Sequence, residues 1–549
     1  MQRLLLVVRL HAMWLLRISV TLMLACASSD PAPPSGAASG AVLYAGPTFV
    51  TAEGPMKAVE VGPDGRVRRL LAAVPEGVAH RDLPGALALP GLVDAHLHVA
   101  WLGRTREQLD LTRAASIADV RARLEAFAAA HPEVAVIVGH GWDHTRWGGD
   151  FPTAAELGPL DRPAILTRVD GHALWLNAAA MAHAKAFFAA PPAAPGMRIE
   201  RDDKGPTGVL VDPPAAFVDL VIPPPGDPEL TRWITAGLGA CAATGLTEVH
   251  DMATSPAELA VLQRLAERGL PVRVVVYLDD SEASFEWLAA HPNAPVVLGP
   301  DLIVAGVKLF ADGALGSRGA ALKADYSDML GHRGQPTGRE ALIDKARRAA
   351  ALGHPVAIHA IGDLGNDDAL AAIEAAIAVR PGLVNRVEHA QVIDLADLDR
   401  FVRTRAIASM QPTHATSDMR WAEARVGPER IKGAYAWNTL LHRGIPLAFG
   451  SDAPVESQAP LGGLFAAVFR QTAAGEPPGG WRPAEALTFA EALDAFTAGA
   501  VLAAPGAGRT GRIEIGAPFE VTLLDRDVAA DPRALLDAKV LGTVRERAR

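Results

Sequence analysis

Short apolar runs of strand length alternate with longer amphipathic runs of helix length through most of this chain. Eight runs read as strands: "GLVDAHLH", "GLTEVHDM", "VRVVVYLD", "GVKLFADG", "VAIHAIGD", "RVEHAQV", "IASMQPT" and "IPLAFGSDAP". Stretches such as "REALIDKARRAAALG" and "NDDALAAIEAAIAV" carry the helical period between them. Strand and helix in regular succession predict a parallel sheet covered by helices, an α/β fold. Eight such units closing on themselves make a TIM (β/α)8 barrel, whose functional groups gather at the C-terminal ends of the strands. The stretch from about Ala100 to Leu230 breaks the rhythm and reads as an insertion after the first strand, placed to roof the site.

The flanks have a different pattern. "AVLYAGPTFVT", "KAVEVGPDGRVRRLLA" and "RDLPGALALP" are short strands cut by Gly and Pro turns, and "GRIEIGAPFEVTLLDRD" is strand-like again near the other end. Segments 41–88 and 505–549 are therefore expected to pair into one small composite β-sandwich beside a barrel spanning 89–504. The last stretch, "AKVLGTVRERAR", lacks a Gly-rich closing strand, so the sandwich is expected to be incomplete.

The first residues are of another kind. Arg3, Arg9 and Arg17 surround apolar runs, and "ISVTLMLAC" leads into "ASSDPAPPSGAASG". A basic start, a short apolar core and a small-residue exit predict a signal segment over 1–25 and a Ser/Pro/Gly tether over 26–40. The apolar part is too short to span a bilayer as a stable helix. Ala25-Cys26 resembles a bacterial lipoprotein cleavage site, although Met23 and Leu24 depart from its usual pattern; an ordinary signal with an incidental Cys26 is the alternative. Met13 would start a tidier signal. The expected location is the periplasm or cell envelope, with a lipid anchor at Cys26. The net charge of −10 and the lack of a basic stripe argue against nucleic acid as a partner. With two cysteines, Cys26 and Cys241, neither a disulfide framework nor a thiolate zinc cluster is available.

Chemistry concentrates near the ends of the eight strands. The first carries His96 and His98, the fourth Lys308, the fifth His359, the sixth His389 and the eighth Asp452. Residues i and i+2 share a strand face, so His96 and His98 both point inward, and neutral imidazoles at a barrel mouth are good zinc ligands. Each residue alone has an ordinary structural role: a hydrogen-bonded core histidine, a snorkelling lysine, a helix-capping aspartate. Their convergence on one end of one barrel points to a metal site instead.

"PGLVDAHLH", "GHGWDHTRW", "DGHALWLN", "PTGVLVD", "GVKLFADGALGSRGAAL", "AIHAIGDLGND", "RVEHAQ" and "FGSDAP" together resemble the amidohydrolase superfamily, in particular its family 3, which includes the N-substituted formamide deformylases. The resemblance covers nearly the whole chain after the signal. It implies that His96, His98 and Asp452 bind one zinc and that His359 and His389 bind another. It also implies that Lys308 can bridge them as a carbamate, since an ammonium would repel cations whereas a carbamate offers two anionic oxygens. With an unmodified Lys308, a single-metal site is expected. Asp212 stands in "PTGVLVD" where relatives often carry glutamate, and its role is open.

The implied reaction is hydrolysis of an amide or formamide-like C–N bond. Metal-bound water, its pKa lowered from about 15.7 to about 7, attacks a polarised carbonyl. Asp452 would act as general base, then as general acid toward the leaving amine. Trp142, Trp147 and Trp175 suggest an aromatic pocket or else simple packing. By resemblance, His172, Asp312 and Arg318 face the substrate and orient its carbonyl or oxyanion. The expected partners are a small-molecule amide, the lipid anchor and, as one assembly, a second copy in a homodimer. Two other readings compete. A single-metal deaminase or hydrolase on the same barrel is disfavoured by Lys308, and a non-catalytic envelope binding protein is disfavoured by the complete ligand set with Asp452.

Overall fold

The structure is a computed structural model describing residues 40–192, 197–222, 224–504 and 509–547. The signal segment, nearly all of the tether, and Cys26 lie outside the described residues. The central sheet has eight parallel strands: β1 (Leu92–Leu97), β2 (Leu246–Thr254), β3 (Arg273–Leu278), β4 (Leu302–Phe310), β5 (Val356–Ala360), β6 (Arg386–His389), β7 (Ile407–Met410) and β8 (Leu447–Phe449). They hydrogen-bond in sequence order from β1 to β8, with one short antiparallel strand, Val296–Gly299, added beside β4. Runs such as "RVVVYL" in β3 are buried on both faces, which is where β-branched residues pack best.

Between β8 and β1 the barrel is nearly closed. A single parallel bridge joins Leu97 to Ala453. Beside it His98 N donates to Ala453 O (2.9 Å) and Asp452 N donates to His96 O (2.7 Å). Only glycine fits at position 450, because a Cβ there would lie 2.5 Å from His96 N. Helices Arg339–Ala351 and Asp363–Val379 follow β4 and β5 and cover the sheet with alanine- and leucine-rich faces.

Between β1 and β2 lies a separate six-stranded sheet that runs, edge to edge, through Arg198–Asp202, Gly205–Val211, Ala173–Leu176, Ala164–Arg168, Ile137–Trp142 and Leu109–Asp110. The chain ends meet in a five-stranded sheet ordered Gly54–Met56, Thr48–Thr51, Leu87–Pro90, Glu520–Leu524, Val540–Arg545. A four-stranded sheet built from residues 42–82 shares its apolar cluster, in which Tyr44 stacks on Phe519 at 4.9 Å. The segment "AKVLGTVRERAR" does supply a closing strand, Val540–Arg545, contrary to the expectation from its composition. Backbone pairing with Glu520–Leu524 needs no glycine pattern.

Candidate metal centre

Five of the eight strands bring a donor to one end of the barrel. Extended backbone continues past β1 through His98 (φ −128°, ψ 94°), so His96 and His98 stay on one face, ring centroids 5.6 Å apart. Asp452 Oδ1 lies 3.4 Å from His96 Nε2 and 3.2 Å from His98 Nε2. The His389 ring is 4.8 Å from that of His96 and 4.6 Å from that of His359, and Lys308 Nζ is 3.4 Å from His96 Nε2. Alternation along β6 puts Arg386 and Glu388 on the inner face, so His389 ought to point away. It does not, because it takes a left-handed backbone (φ 69°), as does Asp452 (φ 59°). Non-glycine residues in that region are held there by their surroundings, a common feature of functional sites.

The histidines are fixed from behind. His96 Nδ1 donates to Glu388 Oε2 (2.6 Å), His98 Nδ1 to Met252 O (2.9 Å) and His389 Nδ1 to Gln411 Oε1 (2.8 Å). Each partner is an acceptor, so the proton sits on Nδ1 and the Nε2 lone pair is free, the tautomer a metal requires. Arg386 grips Glu388 with Nε on Oε1 (2.6 Å) and Nη2 on Oε2 (2.9 Å).

Electrostatics agree with this reading. Burial and the nearby Lys308 push the His96 pKa down to about 4. Burial also holds His359 and His389 well below the usual histidine value. For Asp452 burial acts upward, but His96, His98 and His389 outweigh it and keep the carboxyl well below the carboxylate range. Burial lowers Lys308 to about 8. Neutral imidazoles facing an anionic carboxylate form the donor set of a divalent cation, and the donor atoms of His96, His98 and Asp452 lie within 4.8 Å of one another. The residues present fit a metal.

The centre opens into a cleft of about 1510 Å³. His172 lines it, with Nδ1 2.6 Å from Asp212 Oδ1 and its ring 5.5 Å from that of His359. Burial pulls the His172 pKa down, but Asp212 outweighs it and the ring is pushed up to about 9, an imidazolium at neutral pH. Asp312 also lines the cleft, yet its carboxylate accepts from the backbone N–H groups of Ala321, Ile361 and Gly362 (2.9, 2.9 and 2.7 Å). It ties the loops after β4 and β5 together and approaches His359 Nε2 only at 3.5 Å.

Two expected substrate contacts are corrected. Trp142 is fully buried in the inserted sheet, where Nε1 donates to Leu166 O and the ring packs on Trp175; it does not line the cleft. Trp147 and Trp175 belong to the same apolar cluster. The aromatic wall comes from Trp101, Phe310 and Trp421 instead. Arg318 forks onto Asp328 (2.8 and 3.2 Å) outside the cleft lining, whereas Arg168, paired with Asp143 and Asp170, is one of several arginines that line it.

The sequence model of the amidohydrolase family matches residues 80–546. This chain belongs to the amidohydrolase family. The amidohydrolase is 32% identical over 473 residues to a Bacillus subtilis protein named as the amidohydrolase YtcJ, covering 84% of this chain and 88% of the relative. It is 27% identical to the N-substituted formamide deformylase of Arthrobacter pascens, covering 85% and 88%. Among solved structures, an uncharacterized metal-dependent hydrolase from Pyrococcus horikoshii superposes with a TM-score of 0.70 at 28% identity, covering 89% of this chain and 98% of that one.

Three residues of the amidohydrolase site escape a reading of motifs alone. Glu388 was detectable, since period-two alternation sets it beside Arg386 on the inner face of "RVEH". Gln411 and His414 follow β7, the latter in the helix Pro412–Asp418, and the sequence gives no sign that this helix turns toward the centre. The open role of Asp212 is now filled: it is the carboxylate partner of His172.

Proposed function

We propose that this amidohydrolase hydrolyses the C–N bond of a small-molecule amide, formamides included, using a zinc-type divalent ion at the barrel mouth. The observation that supports it best is the convergence of Asp452 with the outward-facing Nε2 atoms of His96 and His98 beside the charged His172–Asp212 pair. A metal in such a donor set acts as a Lewis acid on a carbonyl and makes water a nucleophile near neutral pH. Asp452, ionised and in reach of the reacting atoms, accepts the proton released when water adds to the carbonyl. It then returns that proton to the amide nitrogen, which leaves only when protonated. His172, held as an imidazolium, donates a hydrogen bond to the oxygen that gains charge. Burial lowers the Lys308 pKa to about 8, which raises the share of neutral amine, the form that adds carbon dioxide to become a carbamate. The likeness to a formamide deformylase supports an N-acyl amine as the substrate class.

The segment ending at Cys26 supports export and anchoring at the cell envelope as part of the same proposal, and Cys26→Ser should then release the protein from membranes. The catalytic reading is tested by metal analysis of purified protein together with a screen of N-formyl and N-acyl amines before and after chelation. Amine release that disappears on chelation and returns with zinc is the expected result. Turnover that survives complete metal removal overturns it.

A further inference from the structure

We propose that His414 is a metal-donor residue, grouped with His389 beside Asp452. This inference rests on the metal-dependent reading above and extends it to a side chain from the one region after β7. The two carboxylate oxygens face different partners. Oδ1 is the atom near His96 and His98, whereas Oδ2 lies 3.7 Å from His414 Nε2. The donor atoms of His389, His414 and Asp452 lie within 4.8 Å of one another, the same closeness as in the first group. Tetrahedral donors about 2.0–2.2 Å from an ion sit roughly 3.3–3.6 Å apart, so the 3.7 Å between Asp452 Oδ2 and His414 Nε2 is near shared coordination and too long for a hydrogen bond.

Two further observations point the same way. His414 Nε2 is buried and, among the described residues, has no hydrogen-bond partner, so it is left available to a ligand. The His389 and His414 rings are nearly parallel, at 11° and 6.0 Å between centroids, so two imidazole edges are presented side by side to Asp452. His359, by contrast, has its Nε2 3.4 Å from Gly313 O and 3.5 Å from Asp312 Oδ1, within reach of acceptors of its own. The helix Pro412–Asp418 thus gives β7 a share in the centre, through a turn that starts with proline at its first position.

Cobalt(II) provides a test independent of turnover. Full-length protein stripped with a chelator is titrated with Co²⁺, and affinity, ions per chain and the visible spectrum are recorded for wild type, His98→Ala, His414→Ala and His414→Cys. His414→Ala should weaken one Co²⁺ site by about 10- to 100-fold or more, the range seen even for groups that only support a ligand. His414→Cys should recover affinity and add a thiolate-to-cobalt charge-transfer band, which arises only if position 414 touches the ion. Thermal melts of the stripped variants establish that each is folded. Unchanged affinity and stoichiometry in His414→Ala, with no new band in His414→Cys, would overturn the proposal while His98→Ala still loses metal. Wild type that takes up no Co²⁺ at all sinks the metal-dependent reading, and this inference with it.

Discussion

Ionisable side chains are buried in two places inside this barrel, and they are treated differently. Toward the N-terminal ends of the strands, every charge has an opposite neighbour. Glu248 pairs with Arg509 and Arg273, Arg273 with Glu520 (2.7 Å), and His250 links Glu248 (3.2 Å) to Arg386 (2.9 Å). At the C-terminal ends, the Nε2 atoms of His96 and His98 face Asp452 Oδ1, and among the described residues His414 Nε2 and Asp212 Oδ2 have no hydrogen-bond partner. Closed pairing stabilises the fold, whereas open valence at the mouth leaves room for chemistry. Arg386 and Glu388 join the regions, since the carboxylate that ends the paired network also receives the Nδ1 proton of His96.

Substitutions sharpen this contrast, the largest expected effect first. Asp452→Asn should lower kcat by about 10² to 10⁴ or more even with metal restored, because it removes a donor and a proton carrier together. Amides should lose more than activated esters, whose leaving groups need no proton; equal losses on both in metal-replete protein would remove the proton role. His172→Asn should cost about 10² to 10³ in kcat with metal content intact, as for loss of one oxyanion donor. A parallel loss of metal would make His172 a ligand instead.

Glu388→Gln tests the junction. Metal affinity should fall about 10- to 100-fold. Stability should drop by about 3–5 kcal/mol, because Arg386 is left as a buried, unpaired charge. Denaturant melts and metal titration read the two effects separately, and a drop in stability with unchanged affinity would confine Glu388 to the paired network. Acid–base linkage gives a fourth test. Folding raises the His172 pKa from the usual 6.5 to about 9, so the folded state binds that proton more tightly. Its stabilisation is complete below about pH 6.5 and is lost as pH rises through about 9. Metal-free wild type should therefore lose stability over that window relative to His172→Asn, and parallel profiles would refute the shift. Smallest of all, Arg318→Gln should leave kcat/KM within about twofold and stability within about 1 kcal/mol, since a partly exposed pair contributes little.

The paired region was nearly invisible from sequence, and the mouth largely legible. All eight strands carry their own signal in β-branched apolar runs, and His96, His98, Lys308, His359, His389 and Asp452 do meet at one end. Those residues stand at strand ends, where one-dimensional position nearly fixes three-dimensional position. Arg509 and Glu248 meet across 261 residues, and Asp212 finds His172 through a turn with a left-handed backbone. Neither depends on local periodicity. Trp142 and Arg318 misled for the converse reason: a motif fixes a residue's neighbourhood but not which way its side chain turns, and packing against Trp175 or pairing with Asp328 decides that.

The seam between β8 and β1 has a consequence for how the protein comes into being. His98 and Asp452 are 354 positions apart, yet they occupy adjoining sides of the single bridge that shuts the barrel. A growing chain therefore carries two imidazoles for most of its synthesis with no carboxylate to complete them. Contacts so distant along the chain carry a large loop-closure cost before they form. An ion that needs both sides of the seam could be held only once the eighth strand has docked, and it would then act as the clasp that keeps the ring shut.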